Sequence, residues 1–427
     1  MNENYQAFYW SKLDNAAKLY AMVSSSKVTN VFRTSVKLKG VIEKADLEMA
    51  VAAALDDMPS FKVRVRTGFF WYYFDSNFQK SRIREEYTYP CSKITKFINN
   101  GYLFNITYFE KMIHLEVFHT LADGTGAVQF LKLIVQHYVR QHYKLDFIIE
   151  DNDGTQSEKD EDSFLKYEGK SATNSILVTT KAYRVSGIRK KPQELKVIHG
   201  RVSTKKVIQL AQQHHVSVTS FLCAVLIAAI YHQNFKCKGT KQPITVTIPM
   251  NLRTSFDSKT VRNFFLNATI KVTPAKDFSF EWLLDEVSRQ LKENQKEEAL
   301  EAQMNEYVSI QKRLAVRFVP LVIKNLVMRS IYFQADKGVT ITISNLGRID
   351  FSQEVNQYVE EASFLLPVTT HQPIRCGIIS QEDRFVISFT SALEETNIQK
   401  FFFQCLKKYG LDVTIYGNEE INHEILS

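Results

Sequence analysis

Residues 112–143 read MIHLEVFHTLADGTGAVQFLKLIVQHYVRQHY, and this stretch decides the fold. Its opening alternates: Ile113, Leu115, Val117 and His119 share one face of a strand, and Met112, His114, Glu116 and Phe118 share the other. His119 therefore continues an apolar, inward face. Residues 102–109 alternate in the same way, and Glu110-Lys111 between the two runs predicts an antiparallel hairpin. Beyond the polar turn, Val128, Leu131, Ile134, Val135 and Tyr138 recur at helical spacing. Asp123 stands directly before Gly124, with Gly126 close behind, where a carboxylate accepts free backbone N–H groups and meets the helix dipole favourably. A histidine at a strand end and an acid four residues later are thus held by two rigid elements.

A neutral imidazole can take a proton from a hydroxyl or an amine, which makes His119 the candidate general base. The plainer reading is a core histidine that satisfies its own hydrogen bonds. Asp123 reads as a helix cap, structural under either view. As a bare pattern H-x-x-x-D-G is weak, so the rest of the chain has to carry the argument.

At 427 residues the chain is long enough for two domains, with the apolar and charged fractions of a globular protein. A formal charge of +8 favours an anionic ligand, but there is no long Lys/Arg stripe, so no nucleic-acid partner is expected. The cluster Arg189-Lys190-Lys191 could meet phosphates, although a solvated loop is the simpler expectation. The start, MNENYQAFYW, has Tyr5, Phe8, Tyr9 and Trp10 but no basic region followed by an apolar run, so no signal peptide is expected. The apolar run at 221–231 is too short for a bilayer, and Arg317 and Lys324 interrupt a later one. A cytoplasmic protein without a membrane span is the expectation. Cys91, Cys223, Cys237, Cys376 and Cys405 are scattered without a C-x-x-C, which argues for buried reduced thiols and against a disulfide framework or a zinc site. His214 and His215 are adjacent on a helix and diverge by roughly 100 degrees, so no metal is expected there. G-x-S-x-G is absent, which disfavours a serine nucleophile.

Along the chain, a helix through Tyr20, a strand at 30–39, a helix at 44–58 and strands at 61–66 and 69–74 lead into the hairpin. The run FFWYYF is expected to be a strand buried on both sides. Residues 150–163, EDNDGTQSEKDEDS, are acidic and aperiodic and read as a solvated crossover. A strand at 196–203 follows, then helices at 204–214, with Thr204 as cap, and 217–232. Next come strands at 244–248 and 264–272, helices at 279–298 and 301–334, and a strand at 339–344 ended by Asn345-Leu346-Gly347-Arg348. Late strands at 373–379 and 384–390, a helix at 394–409 and a final strand close the chain. The expected fold is α/β (α+β), two lobes of mixed sheet covered by helices with a cleft between them. The divisions are 1–149 for the first lobe, 150–194 for the crossover and 195–427 for the second.

HTLADG at 119–124 resembles the H-x-x-x-D-G motif of the CoA-dependent acyltransferase superfamily, which includes chloramphenicol acetyltransferase, BAHD enzymes, alcohol acetyltransferases and condensation domains. IPMNLR at 248–253 followed by RNFFLN at 262–267 is similar to the segment that supplies an arginine partner for the motif aspartate. TISNLG at 342–347 is similar to the strand end opposite the histidine. The three fall in the family's order.

The resemblance implies two chloramphenicol-acetyltransferase-like lobes and an active-site tunnel, with acyl-CoA and an acceptor reaching His119 from opposite mouths. His119 would be the general base on the acceptor hydroxyl, and Asp123 would pair with Arg253 and, with Gly124, hold the turn. Ser344 and Asn345 would be the oxyanion or channel residues. No permanent cofactor is implied; acyl-CoA is the co-substrate and a small or lipophilic alcohol the acceptor. An acyl carrier protein is the alternative donor, in a condensation-like or N-acylating enzyme. Phe118 stands where condensation domains usually have a second histidine, and no D-F-G-W-G follows Asn345, so the alcohol-acetyltransferase branch fits best. A non-catalytic binding protein that kept the fold is the alternative from another class.

Overall fold

The computed structural model describes residues 10–151, 154–167, 180–235, 241–273, 278–312 and 318–418. Tyr5, Phe8, Tyr9, Cys237, Arg317 and part of the 150–194 crossover lie outside them.

The first half runs β1 (Trp10–Lys12), α1 (Asn15–Val23), β2 (Val31–Leu38), α2 (Lys44–Asp57), β3 (Val63–Thr67), β4 (Tyr72–Ser76), β5 (Ile83–Glu85), β6 (Phe104–Phe109), β7 (Met112–Phe118) and α3 (Gly124–His142). Two short helices follow, α4 (Gln156–Lys159) and α5 (Ser163–Lys166). The second half runs β8 (Lys196–Ser203), α6 (Thr204–Gln213), α7 (Val218–Ile230), β9 (Ile244–Asn251), β10 (Phe265–Val272), α8 (Phe280–Asn294), α9 (Glu297–Lys312), α10 (Leu321–Asp336) and β11 (Ile341–Arg348). It closes with α11 (Gln353–Asn356), β12 (Val359–Leu365), β13 (Ile374–Gln381), β14 (Arg384–Ser391), α12 (Asn397–Lys408) and β15 (Thr414–Gly417).

Two larger sheets result, both mixed and both covered by helices, the α/β architecture anticipated from the pattern. One has the order β12-β2-β7-β6-β5 and the other β10-β9-β11-β13-β14-β8-β15. A third, three-stranded sheet, β1-β4-β3, lies outside both. The hairpin of β6 and β7 forms as its alternation requires, with Phe104 opposite Val117 and Phe109 opposite Met112. Glu110 adopts the left-handed conformation that closes so tight a turn. Helix α3 packs Ala127, Phe130, Leu131, Ile134, Val135 and Tyr138 into the first core. The second core forms around α7, whose residues 220–230 are all buried. Strand β12 comes from the C-terminal half yet pairs antiparallel with β2 in the first sheet, Ala362 opposite Val36.

Several local expectations are corrected. FFWYYF is not one buried strand: residues 68–71 turn, Gly68 N–H donating to Trp71 C=O, and Phe69 is 71% exposed while Phe74 is buried. The acidic stretch before 163 is not simply solvated. Lys159 is buried and ion-paired with Asp151, Asp160 pairs with Arg262 at 2.8 Å, and Phe164 just beyond joins Leu252, Phe264 and Leu266 in a third core cluster. Its acids are counter-ions for buried bases, which composition alone does not reveal. Helix α6 is capped by Ser203, whose hydroxyl accepts from Lys206 N–H, rather than by Thr204. The single helix expected over 301–334 is corrected: among the described residues α9 runs Glu297–Lys312, and α10 starts afresh after Pro320, which has no N–H to donate. Strand β11 does not end at Ser344; it continues to Arg348 with a bulge between Asn345 and Arg348. Cys91, Cys223 and Cys376 are buried free thiols and Cys405 is half-buried. Among the described residues no single helix is long and apolar enough to cross a membrane.

Candidate active site

His119 lies just past the end of β7, its N–H donating to Asn30 C=O at 2.8 Å. Its ring lines a cavity of about 680 Å³ whose walls come from both large sheets. Tyr20 of α1 stacks on it with centroids 4.4 Å apart, Phe32 meets it edge-on at 4.9 Å, and Phe265 stands 5.5 Å away.

A side-chain amide sets the tautomer. His119 Nδ1 is 2.9 Å from Asn263 Oδ1, and the Asn263 Nδ2 donates to Asp14 Oδ2 at 3.1 Å. With the amide nitrogen committed to the carboxylate, its oxygen faces the ring, so Nδ1 carries the hydrogen and Nε2 is left with a lone pair. Asp14 is buried, also accepts from Asn263 N–H and caps α1 through Ala17 N–H at 2.7 Å. Helix α1 thus holds the histidine twice, through Tyr20 on its face and through its cap residue behind Asn263. Burial pushes the His119 pKa below its ordinary value, against the opposing pull of Asn263 and Asp123. Neither Asp14 nor Tyr20 carried a sequence signal, and Asn263 was visible only as part of a motif.

Asn263→Ala would leave the Nδ1 hydrogen and the Asp14 carboxylate without this partner, at a cost of about 1–3 kcal/mol in stability. Denaturant unfolding of the variant checks this, and unchanged stability would mean the amide holds neither group.

Asp123 is the N-cap of α3, and every one of its lone-pair positions is occupied. Oδ1 accepts from Gly126 N–H at 3.0 Å and from Arg253 at 3.1 Å; Oδ2 accepts from Arg253 at 2.9 Å and from Phe264 N–H at 2.9 Å. Arg253 spends all five donors within the protein: on both Asp123 oxygens, Asn251 Oδ1, Thr260 C=O and Arg262 C=O. The pair is a buried clamp between the first turn of α3 and the β9–β10 connection. The glycines there are spacers: a Cβ at Gly124 would come 2.4 Å from the Leu346 side chain, and one at Gly126 2.1 Å from the Val261 carbonyl.

Ser344 lines the same cavity, and its hydroxyl has no hydrogen-bond partner among the described residues. Asn345 is also at the wall, but its amide is engaged, donating to Thr219 Oγ1 at 3.3 Å and accepting from Gly347 N–H at 2.9 Å. Of the two candidates Ser344 is the better placed to meet a charge developing in the cavity. Arg375, Gln372 and Tyr332 line this cavity as well and were not anticipated.

The site is thus a half-buried histidine on a cavity wall, with the acid of its motif turned away into a salt bridge. A family model for alcohol acetyltransferases matches residues 160–408, more than half of the chain and a span that includes Arg253 and Ser344. The chain belongs to the alcohol acetyltransferase family. It is an acyltransferase, and its fold agrees with solved structures of that chemistry. Fusarium graminearum TRI101, complexed with coenzyme A and T-2 mycotoxin, superposes with a TM-score of 0.64 at 10% identity, over 95% of this chain and 99% of that one. TRI3 trichothecene 15-O-acetyltransferase from Fusarium sporotrichioides gives 0.61 at 11% identity, over 94% of each. The first condensation domain of the CDA synthetase gives 0.59 at 11%, over 94% of this chain and 96% of that one. No curated protein sequence matches. At such identities these likenesses speak for the fold of this alcohol acetyltransferase family member and not for its substrate.

Proposed function

We propose that this acyltransferase moves an acyl group from acyl-CoA to the hydroxyl of an alcohol, with His119 as general base. The observation that carries the reading is the fixed tautomer: Asn263 holds Nδ1 as a donor, so the basic Nε2 is the nitrogen left for a substrate proton. In the reaction Nε2 takes the hydroxyl proton as the oxygen attacks the thioester carbonyl carbon, and the carbonyl electron pair moves onto oxygen. Ser344 donates to that oxyanion. Collapse restores the carbonyl, breaks the C–S bond and expels the thiolate of CoA, which takes from the imidazolium the proton that the hydroxyl gave up. Asp123 and Arg253 move no proton; they hold the turn that presents His119. The site would be shared by an N-terminal lobe (1–149) and a C-terminal lobe (195–427), with 150–194 crossing between them.

A second cavity of about 980 Å³ meets the first at Pro367, which lines both. Its lining includes Lys27, Lys93, Arg189 and Lys191, a basic mouth suited to the phosphates of CoA. The neighbour TRI101 was solved with coenzyme A, which supports the same class of donor here.

The test is thiol release from a panel of acyl-CoAs, with and without simple alcohols and alongside an acylated carrier protein. Release that rises with an alcohol upholds the reading. Release from the carrier protein alone, with every CoA ester inert, would overturn it.

A pH dependence follows from burial. Because the His119 pKa lies below 6.5, the base form persists through neutral pH and into mild acid. The acid limb of kcat/KM is expected below pH 6.5, and a limb at or above that value would contradict the assignment.

A further inference from the structure

The cavity also holds a cation that the transfer chemistry does not use. Arg375 of β13 lines it together with His119. Its Nε donates to Gln372 Oε1 at 3.1 Å, and Tyr332 lines the same wall. Gln372 is fixed in that orientation from behind: Thr342 Oγ1 donates to the same oxygen at 2.7 Å, and Gln372 Nε2 donates to Asp336 Oδ1 at 2.8 Å. Asp336 lies behind Gln372, but its carboxylate is taken by Thr369 Oγ1, His371 N–H and Gln372, so the amide stands between the two charges. Among the described residues no carboxylate lies within 4.0 Å of Arg375.

The contrast with the other enclosed arginines decides what this means. Arg33 pairs with Glu86 and Glu116, Arg253 with Asp123, and Arg262 with Asp160. Each of them closes its charge within the protein. Arg375 has five donors, and the one neutral acceptor it meets is Gln372 Oε1, so its planar fork retains N–H groups for a ligand. It shares a cavity wall with His119, Tyr20 and Tyr332, and is not among the residues that line the second, basic cavity. That placement favours a group near the thioester over the phosphates of CoA, which the pantetheine arm holds far from it. A carboxylate matches the fork in shape and in charge.

We propose that Arg375 binds a carboxylate carried by one of the two reactants, so that the enzyme selects an acid over its neutral counterpart. The proposal rests on reading this cavity as the acyl-transfer site, and it narrows the substrate class to a hydroxy acid acceptor or an acidic acyl donor.

The test separates the two sources by binding rather than turnover, each ligand titrated singly into the full chain by calorimetry. One arm compares malonyl-CoA with its neutral isostere isovaleryl-CoA; the other compares ω-hydroxy acids of increasing chain length with their methyl esters. The expected result is a preference for the carboxylate of roughly ten- to a hundredfold in one arm, the worth of a charge-assisted hydrogen bond. That preference should vanish in Arg375→Gln and persist in part in Arg375→Lys, which keeps the charge but not the fork. Equal binding of acid and neutral partner in both arms, no binding of any acid, or a preference that survives Arg375→Gln would each overturn the proposal. Failure of the acyl-transfer reading would register separately, as absence of CoA release.

Discussion

Asp123→Ala lowers the free energy of unfolding by about 3–5 kcal/mol, and acyl transfer falls with it. The size of the effect comes from what is left behind. Arg253 is buried against Asp123 with 8% and 5% side-chain exposure, so removal of the acid strands a guanidinium that water barely reaches. The backbone N–H groups of Gly126 and Phe264 lose their acceptor at the same moment, one of them at the start of α3. The loss of the cap alone accounts for about 1 kcal/mol. Activity suffers because that first turn follows directly on His119. Denaturant unfolding of the variant beside the wild type measures this, and a change of under 1 kcal/mol would mean that the clamp does not hold the turn.

His119→Ala lowers kcat by about 10²–10⁴, the usual worth of a general base, while the chain still folds. The ring contributes to packing through Tyr20, Phe32 and Phe265, but it sits on a cavity wall and its loss enlarges a space already present. The partner it abandons, Asn263, keeps its two hydrogen bonds to Asp14. Activity and stability therefore respond differently in the two variants: Asp123→Ala lowers both, and His119→Ala chiefly the first. A His119→Ala enzyme that turns over at more than about a tenth of the wild-type rate would remove the base from the mechanism.

The alternation of 112–119 was enough to point His119 inward, because a strand repeats every two residues and the apolar set leaves one face for the histidine. The spacing of α3 and the acid before its glycines were equally plain. The motif order, read through family resemblance, paired Asp123 with Arg253, and the hydrogen bonds agree. What stayed hidden depends on distant pairings. Asp14 and Asn263 are 249 residues apart, and no local period connects them. Strand β12 reads VEEASFL, with a register shift between Val359 and Glu361 and burial on both faces, so it lacks the alternation by which a half-buried strand is recognised. FFWYYF was misread because hydrophobicity does not distinguish a buried strand from a turn whose rings lie on the surface. Asn345 was read as a strand end, whereas β11 runs on to Arg348, and nothing local showed its side chain already engaged with Thr219 and Gly347. Arg375 gave no sign at all, since only the cavity reveals that its charge is unmatched.

The most direct test of the central claim is alcohol-dependent release of CoA from acetyl-CoA, followed for wild type and His119→Ala at matched folded fraction, with the ester product quantified. The account predicts equal amounts of CoA and ester from the wild type and a rate at least a hundredfold lower from the variant. Comparable alcohol-stimulated rates from the two proteins would contradict it.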